Sequence, residues 1–314
     1  MTDRPEGKER TIYRWEAVGE GASLTDELIV PESLSVGIHE HVPEKTYHAI
    51  DRIGSTGVRS WTANPILGDW RFEQTHVKAE TKEMRRGSML HAKLIEPAVY
   101  DASYAVAPEC DRRTKEGKAL WGQFCAENMT KQICTAEDSE LVEAMSESVE
   151  LLHDETQPGN PPHWRSLKRR ARTELTIIGE LQGAPCKARL DLLNDLGIIV
   201  DLKSVGRSPE MRMGAGPHFV KWLVYRRRYY IQAAFYRMMA VAAGIPVKGF
   251  VFIFVENQPP HNAAIYNMGS RWWPMAEQPI AEALAALGSG YRTGQWPGIT
   301  GAIQDLDPPE ELSH

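Results

Sequence analysis

The chain has 314 residues, 36 Lys and Arg against 42 Asp and Glu, and a formal net charge of -6. That length supplies a substantial core for one large α/β domain or two small ones. No apolar run approaches the ~20 residues of a bilayer span, and the start MTDRPEGKERTIYRWE lacks the apolar segment of a secretory signal, so a cytoplasmic protein with no membrane association is expected. Cys110, Cys125, Cys134 and Cys186 are widely spaced with no CxxC pair, which argues for reduced structural thiols against a zinc ribbon or a disulfide framework.

The sign of the charge is unevenly spread. From Pro161 to Phe250 sixteen Lys or Arg face six Asp or Glu, whereas residues 136 to 157 hold eight acids and no base. Such polarity suits a basic face offered to a polyanion. Mutual neutralisation of the two surfaces, within the chain or between subunits, is the alternative.

In chain order, residues 1–30 are polar and weakly periodic and read as a flexible arm. Residues 31 to 80 look irregular, with scattered Pro, Gly and Trp. A helix is predicted from Glu83 through MRRGSMLHAKLIEP, stopping near Pro97, and residues 115 to 155 read as helical, with Leu120, Phe124, Met129 and Ile133 at helix-like intervals. After the loop QPGNPPHW, the segments ELTIIGEL, PCKARLDLL and GIIVDLKSV, punctuated by QG and NDLG, have a strand–turn–strand–turn–strand rhythm. The loop GRSPEMRMGAGPHF is flexible by composition, and its Met211 and Met213 suit a lid or wedge. A long helix from Phe219 to Ala243 follows, ending at Gly244 with Pro246 beyond. VKGFVFIFVE is a buried strand and IAEALAALGSGY an amphipathic helix, before an acidic tail at 301–314. The order implies a mixed α/β sheet covered by helices, within a domain spanning 31–300.

The hairpin RLDLLNDLGIIVDLKSVG sets charges into apolar runs. Asp201 and Lys203 lie on one face of their strand, about 7 Å apart, with Leu202 on the other. Asp191 joins them if Leu193 pairs with Ile199 across an odd-numbered connection; a slip of one residue would send it to the opposite layer. Two half-buried carboxylates repel unless a cation lies between them, and Mg2+ or Mn2+ is the hard ion that oxygen ligands prefer. The lysine is then placed to act on water and on charge building at a phosphate. A lone D-x-K is far more often a surface salt bridge. Gly214-Ala215-Gly216 lacks the Lys-Ser/Thr of a phosphate-binding loop, so no ATP is expected to be needed.

Other residues weigh on that choice. Asp191 with Asp201-Leu202-Lys203 resembles the core of the PD-(D/E)XK nuclease superfamily. The stretch Tyr229 to Tyr236 resembles the Q-x3-Y motif of its RecB-like branch through Gln232 and Tyr236, and Gly87 to His91 resembles the G-x3-H helix of that branch. Order and gaps are most similar to the RecE or exonuclease VIII type. The resemblance implies a restriction-endonuclease-like mixed β-sheet flanked by helices. It implies metal binding by His91, Asp191, Asp201 and the carbonyl of Leu202, with Lys203 serving the attacking water. It also implies an upstream acid, Glu174 or its rival Glu180, and a pair, Gln232 and Tyr236, that reaches the scissile phosphate. Some RecB-like relatives hold an iron–sulfur cluster with cysteines after the Q-x3-Y helix; this chain has none after Cys186, so no cluster is expected.

The implied activity is Mg2+-dependent, ATP-independent degradation of duplex DNA from 5′ ends, leaving 3′ overhangs. A ring-like homo-oligomer such as a tetramer and a RecT-type single-strand annealing partner are implied with it. Endonuclease or single-strand activity on the same fold is the nearest alternative, and a non-catalytic DNA-binding module the next. Arg226, Arg227 and Arg228, with Lys221 earlier on the same predicted helix, suit phosphate oxygens of DNA. Lys168, Arg169, Arg170 and Arg172 are a second candidate cluster.

Overall fold

A computed structural model describes residues 34–75, 80–152, 163–206 and 214–298. The arm at 1–30, Met211 and Met213, and the tail at 301–314 lie outside the described residues. The segment expected to be irregular contains β1 (Gly37–His39), α1 (Glu44–Ala49), α2 (Ser55–Ala63) and α3 (Leu67–Thr75). Helices of six to nine residues are too short to show a sustained period, which is why they escaped the pattern.

The helix predicted from Glu83 is α4 (Lys82–Ile95), and the Thr81 hydroxyl caps it by accepting from the Met84 N–H at 3.2 Å. Next come α5 (Pro97–Ser103), β2 (Tyr104–Val106) and α6 (Lys115–Glu127). The helical reading of 115–155 is corrected in its middle, where Ile133 belongs to β3 (Gln132–Cys134), a strand paired in parallel with β2. The acidic helix α7 (Ala136–Glu150) follows, then α8 (His163–Lys168). Its carboxylates meet bases of α4: Arg86 bonds Asp138 at 2.6 Å and Glu137 at 2.7 Å, and Lys93 pairs with Glu143 at 2.6 Å. Three of the eight acids are thus answered from outside the basic half of the chain, and Glu150 from within it, by Arg165 at 3.6 Å.

Three strands then form as predicted: β4 (Arg172–Leu181), β5 (Ala184–Leu193) and β6 (Ile198–Val205). The connection between β5 and β6 is set by Asn194, whose Oδ1 accepts from the N–H groups of Leu196 and Ile198 at 3.1 and 2.9 Å. Gly197 closes that turn at φ +79°, where a Cβ would lie 2.5 Å from the Pro246 carbonyl oxygen. The single long helix expected from Phe219 is instead two, α9 (Pro217–Arg226) and α10 (Tyr229–Ala242), broken where Arg228 adopts a left-handed conformation at φ +51°. The Arg228 carbonyl then accepts from the Ile231 N–H at 3.1 Å and starts α10.

The last elements among the described residues are β7 (Gly249–Glu256), β8 (Ala263–Asn267) and α11 (Trp272–Thr293). The main sheet has six strands in the order β1-β4-β5-β6-β7-β8, and β6 and β7 run parallel. The larger core lies on one face, where α2, α9, α10 and α11 pack against Ile177, Ile199, Phe252 and Phe254. On the other face α4, α7 and α8 cover Leu192, Val200, Leu202 and Ile253.

Candidate active site

The β5–β6 ladder pairs Leu193 with Ile199 and Leu192 with Val200, the register read from the hairpin, and stops there. One further step of that register sets Asp191 across from Asp201. On its other side β5 pairs with β4, and the same counting sets Glu174 across from Asp191: Thr173 pairs with Leu192 and Leu175 with Leu190, with no pairing between them. Three carboxylates on three neighbouring strands therefore share one row of the sheet.

The row is also where the sheet is irregular. Glu174 has φ +47°, in the left-handed region that a non-glycine residue rarely occupies. Leu190 and Leu193 enter one core while Leu192 enters the other, so the in–out alternation of β5 slips at Asp191. The strands part here, and both backbone groups of Leu202 find side-chain partners in place of the β5 backbone. Its N–H donates to Asp191 Oδ2 at 2.9 Å, and its carbonyl oxygen lies 2.9 Å from His91 Nε2. The gap joins the two layers at one point: His91 arrives from α4 on one face, and Gln232 from α10 on the other.

Asp201 is 1 % exposed, and Gln232 Nε2 donates to its Oδ1 at 2.9 Å. The other oxygen, Oδ2, is in ion-pair contact with Lys203 Nζ but accepts no well-directed hydrogen bond. Burial pushes the Asp201 carboxyl up to about 6, with Lys203 opposing and Asp191 adding to the rise. Burial works against the charge on Lys203, but Asp201 and Asp191 outweigh it and its pKa is raised, so the residue is an ammonium. Such a group stabilises negative charge; it does not abstract protons.

One atom each from His91, Glu174 and Asp191 lies within 4.8 Å of the others. Glu174 pairs with Arg189 Nε, and its pKa is pushed up to about 7 by burial, with Arg189 opposing and Asp191 adding. Glu180 stands apart, exposed at the turn end of β4 opposite Pro185.

The donor set fits a hard divalent cation. His91, Glu174 and Asp191 bring one imidazole and two carboxylates together, each with an atom within 4.8 Å of the others. Asp201 Oδ2 already faces the Lys203 ammonium, so an ion nearby would share that oxygen with it. His91, Glu174 and Asp191 would hold it, with the Leu202 carbonyl beside His91, whereas Asp201, expected as a ligand, does not join that group and has its oxygens on Lys203 and Gln232.

Other expected residues fall elsewhere. Tyr236 shares its helix face with Gln232, but it is buried, and its hydroxyl accepts from Ser55 Oγ at 3.2 Å, with no hydrogen bond to the acids. A Cβ on Gly87 would meet Ser204 Oγ at 3.8 Å, an ordinary contact, so no close backbone approach requires that glycine. The break at Arg228 corrects the placing of the three arginines on one helix with Gln232. Successive residues of a continuous helix would fan out at about 100°, whereas here Arg226, Arg227 and Arg228 all line one cleft of about 920 Å³. Lys221 is exposed on α9 outside that lining. In the second basic cluster Lys168 donates to the Leu94 carbonyl, and Arg170 and Arg172 face Asp195 and Glu40 at 3.9 and 4.0 Å.

Two residues near the site were not found from the sequence. The Tyr229 ring lies 5.2 Å from Lys203 Nζ and 5.2 Å from the Arg59 guanidinium, so it is flanked by two cations. Tyr229 stands one turn before Gln232, a spacing that could have marked it; a lone arginine in a segment without period carries no such signal.

The profile of a family described as "PDDEXK-like domain of unknown function (DUF3799)" matches residues 66–308. Among solved structures, the chain is similar to a "Putative exonuclease" from Eubacterium rectale, with a TM-score of 0.53, 13% identity, and 86% of this chain and 96% of that chain covered. At that identity the likeness is one of fold. The solved structure of SSO0001 aligns over 72% of this chain and 85% of that chain at 14% identity, with a TM-score of 0.26. No curated protein matches the chain.

Proposed function

The chain belongs to the PDDEXK-like family DUF3799 and has the restriction-endonuclease-like fold, and from that premise we propose that it is a Mg2+-dependent, ATP-independent nuclease that cuts phosphodiester bonds of DNA. The carrying observation is the row of Glu174, Asp191 and Asp201 at the parted strands, with His91 entering from one layer and Lys203 held against Asp201. A divalent ion bound there supplies Lewis-acid polarisation of the phosphoryl group and activation of water. The residues of the chain do the rest. Gln232 orients the Asp201 carboxylate, Asp191 fixes the Leu202 backbone through its N–H, and the Lys203 ammonium steadies charge that builds on the phosphate. The Arg226–Arg228 turn binds neighbouring phosphates without reading sequence.

In its finer form the proposal is an exonuclease acting from 5′ ends of duplex DNA. The RecE resemblance and the "Putative exonuclease" name of the Eubacterium rectale protein support this form. The homo-oligomer and the single-strand annealing partner rest on the RecE resemblance.

The test is release of acid-soluble nucleotides from linear and from closed-circular duplex DNA, with Mg2+ and without nucleotide triphosphate. Release from linear DNA alone, abolished in Asp201→Ala, is expected. Cutting of closed circles would replace the exonuclease by an endonuclease, and no Mg2+-dependent release from any DNA would overturn the proposal.

A further inference from the structure

The three arginines at the α9–α10 turn share their cleft with Ser204 and Gly206, which follow Lys203 on the catalytic strand. None of the three forms an ion pair with a described carboxylate, in contrast to Arg170 and Arg172. Three adjacent like charges repel one another, and an anion that joins them converts that repulsion into attraction.

Phosphate alone does not account for the neighbouring rings. Trp222 and Tyr225 are 44% and 55% exposed, and they stand three apart on α9, hence on one face. Each is stacked on a buried ring. Trp222 lies on Phe219 with centroids 6.0 Å apart and planes at 26°, and Tyr225 lies on Tyr230 at 6.4 Å and 10°. The inner rings fix the tilt of the outer ones, so large flat surfaces are held ready and left in water. The Arg226 guanidinium, 5.1 Å from the centre of the Trp222 ring, brings positive charge to the same place.

Intact duplex presents phosphates but keeps its bases stacked on one another, and it has no use for these rings. A strand with unpaired bases offers both phosphates and free π faces, and base–aromatic stacking tolerates any sequence. A protein partner could cover the rings, but it would have to bring acids to the arginines as well.

We infer that α9 and the arginine turn form a track for an unpaired nucleic-acid strand that leads to the end of β6. Trp222 and Tyr225 stack its bases, and Arg226, Arg227 and Arg228 hold its phosphates. The inference rests on the nuclease reading for the meaning of its place beside Lys203, and it deepens that reading: the strand to be cut arrives single-stranded, peeled from its complement.

Two labelled probes of equal length, about twelve nucleotides, carry the test: an oligothymidylate and its abasic counterpart, which has the same phosphates and no bases. Binding is followed by fluorescence anisotropy with the full chain in chelator, so that neither probe is cut. Wild type is expected to bind the oligothymidylate about tenfold more tightly than the abasic strand. Trp222→Ala with Tyr225→Ala should erase that preference and leave abasic affinity in place, whereas alanine at Arg226, Arg227 and Arg228 should weaken both probes and flatten the salt dependence. Should the double variant fail to melt cooperatively, Trp222→Ala alone replaces it, with a preference reduced by about half on a logarithmic scale. Equal binding of both probes by wild type, binding of neither, a parallel loss of both in the aromatic variant, or affinities that the aromatic variant leaves unchanged would overturn the track; the last is the behaviour of a protein-docking face. Mg2+-dependent nucleotide release is measured separately, so release without base preference sinks the track alone, and base preference without release sinks the nuclease reading alone.

Discussion

Replacing Gln232 by Leu removes one donor from Asp201 and little volume. The amide nitrogen lies 2.9 Å from Asp201 Oδ1, in a place where Asp201 is 1 % and Gln232 7 % exposed, so water cannot take over the bond. A hydrogen bond to a charged group contributes about 1.5–3 kcal/mol. The substitution also removes the Gln232 Oε1, which is buried without a partner, and that relief offsets about 1 kcal/mol. The net loss of stability is then about 0.5–2 kcal/mol, read by urea unfolding at pH 8. The carboxylate, already raised to about 6 by burial, rises further once its donor is gone. Activity should therefore fall about 10- to 100-fold near pH 7, and the acid limb of the pH–rate profile should move to higher pH. A variant with wild-type rate and an unshifted limb would refute the orienting role of Gln232, whatever its stability.

Glu174→Gln should cut nucleotide release by at least about tenfold, since Glu174 is within 4.8 Å of His91 and Asp191; Glu180→Gln, at an exposed position, should leave it within about twofold, and the reverse ranking would make Glu180 the upstream acid. The pH dependence of stability without divalent ions follows from Asp201 at about 6 and Glu174 at about 7, both raised by burial. The folded chain holds protons there that the unfolded chain has released, so these groups should lower stability as pH rises from about 5 to 8. Divalent ions compete with those protons, so Mg2+ should raise the unfolding midpoint more at pH 8 than at pH 5.5. Urea melts that show wild type gaining stability over that window relative to Asp201→Asn, or an equal Mg2+ effect at both pH values, would contradict this.

The hairpin was legible because strand side chains have a period of two and the connection between Leu193 and Ile199 has an odd count, which left one register able to bring Asp191 beside Asp201. The mixed sheet was legible for a similar reason, since β4 to β7 are apolar runs cut by turn residues. Position along a strand was not: Glu174 and Glu180 have the same parity on β4, and pairing with β5 separates them by putting one beside Asp191 and the other at the turn. The turn at Arg228 was hidden because helix-compatible residues flank it, and a left-handed arginine leaves no mark in composition. The contact of His91 with the Leu202 carbonyl joins residues 111 positions apart, and no local period reports it. Arg59 reaches Tyr229 from a segment whose helices are too short to be read at all.

The convergence of the acids on one cation is tested most directly by titrating Mn2+ into the metal-free protein at pH 8 and counting bound ion by electron paramagnetic resonance. Wild type should take up Mn2+ with a defined stoichiometry, Mg2+ should displace it, and Asp191→Asn should weaken uptake by at least about tenfold. Wild type that leaves all Mn2+ free, or Asp191→Asn that binds it as tightly as wild type, would show that these carboxylates do not share an ion.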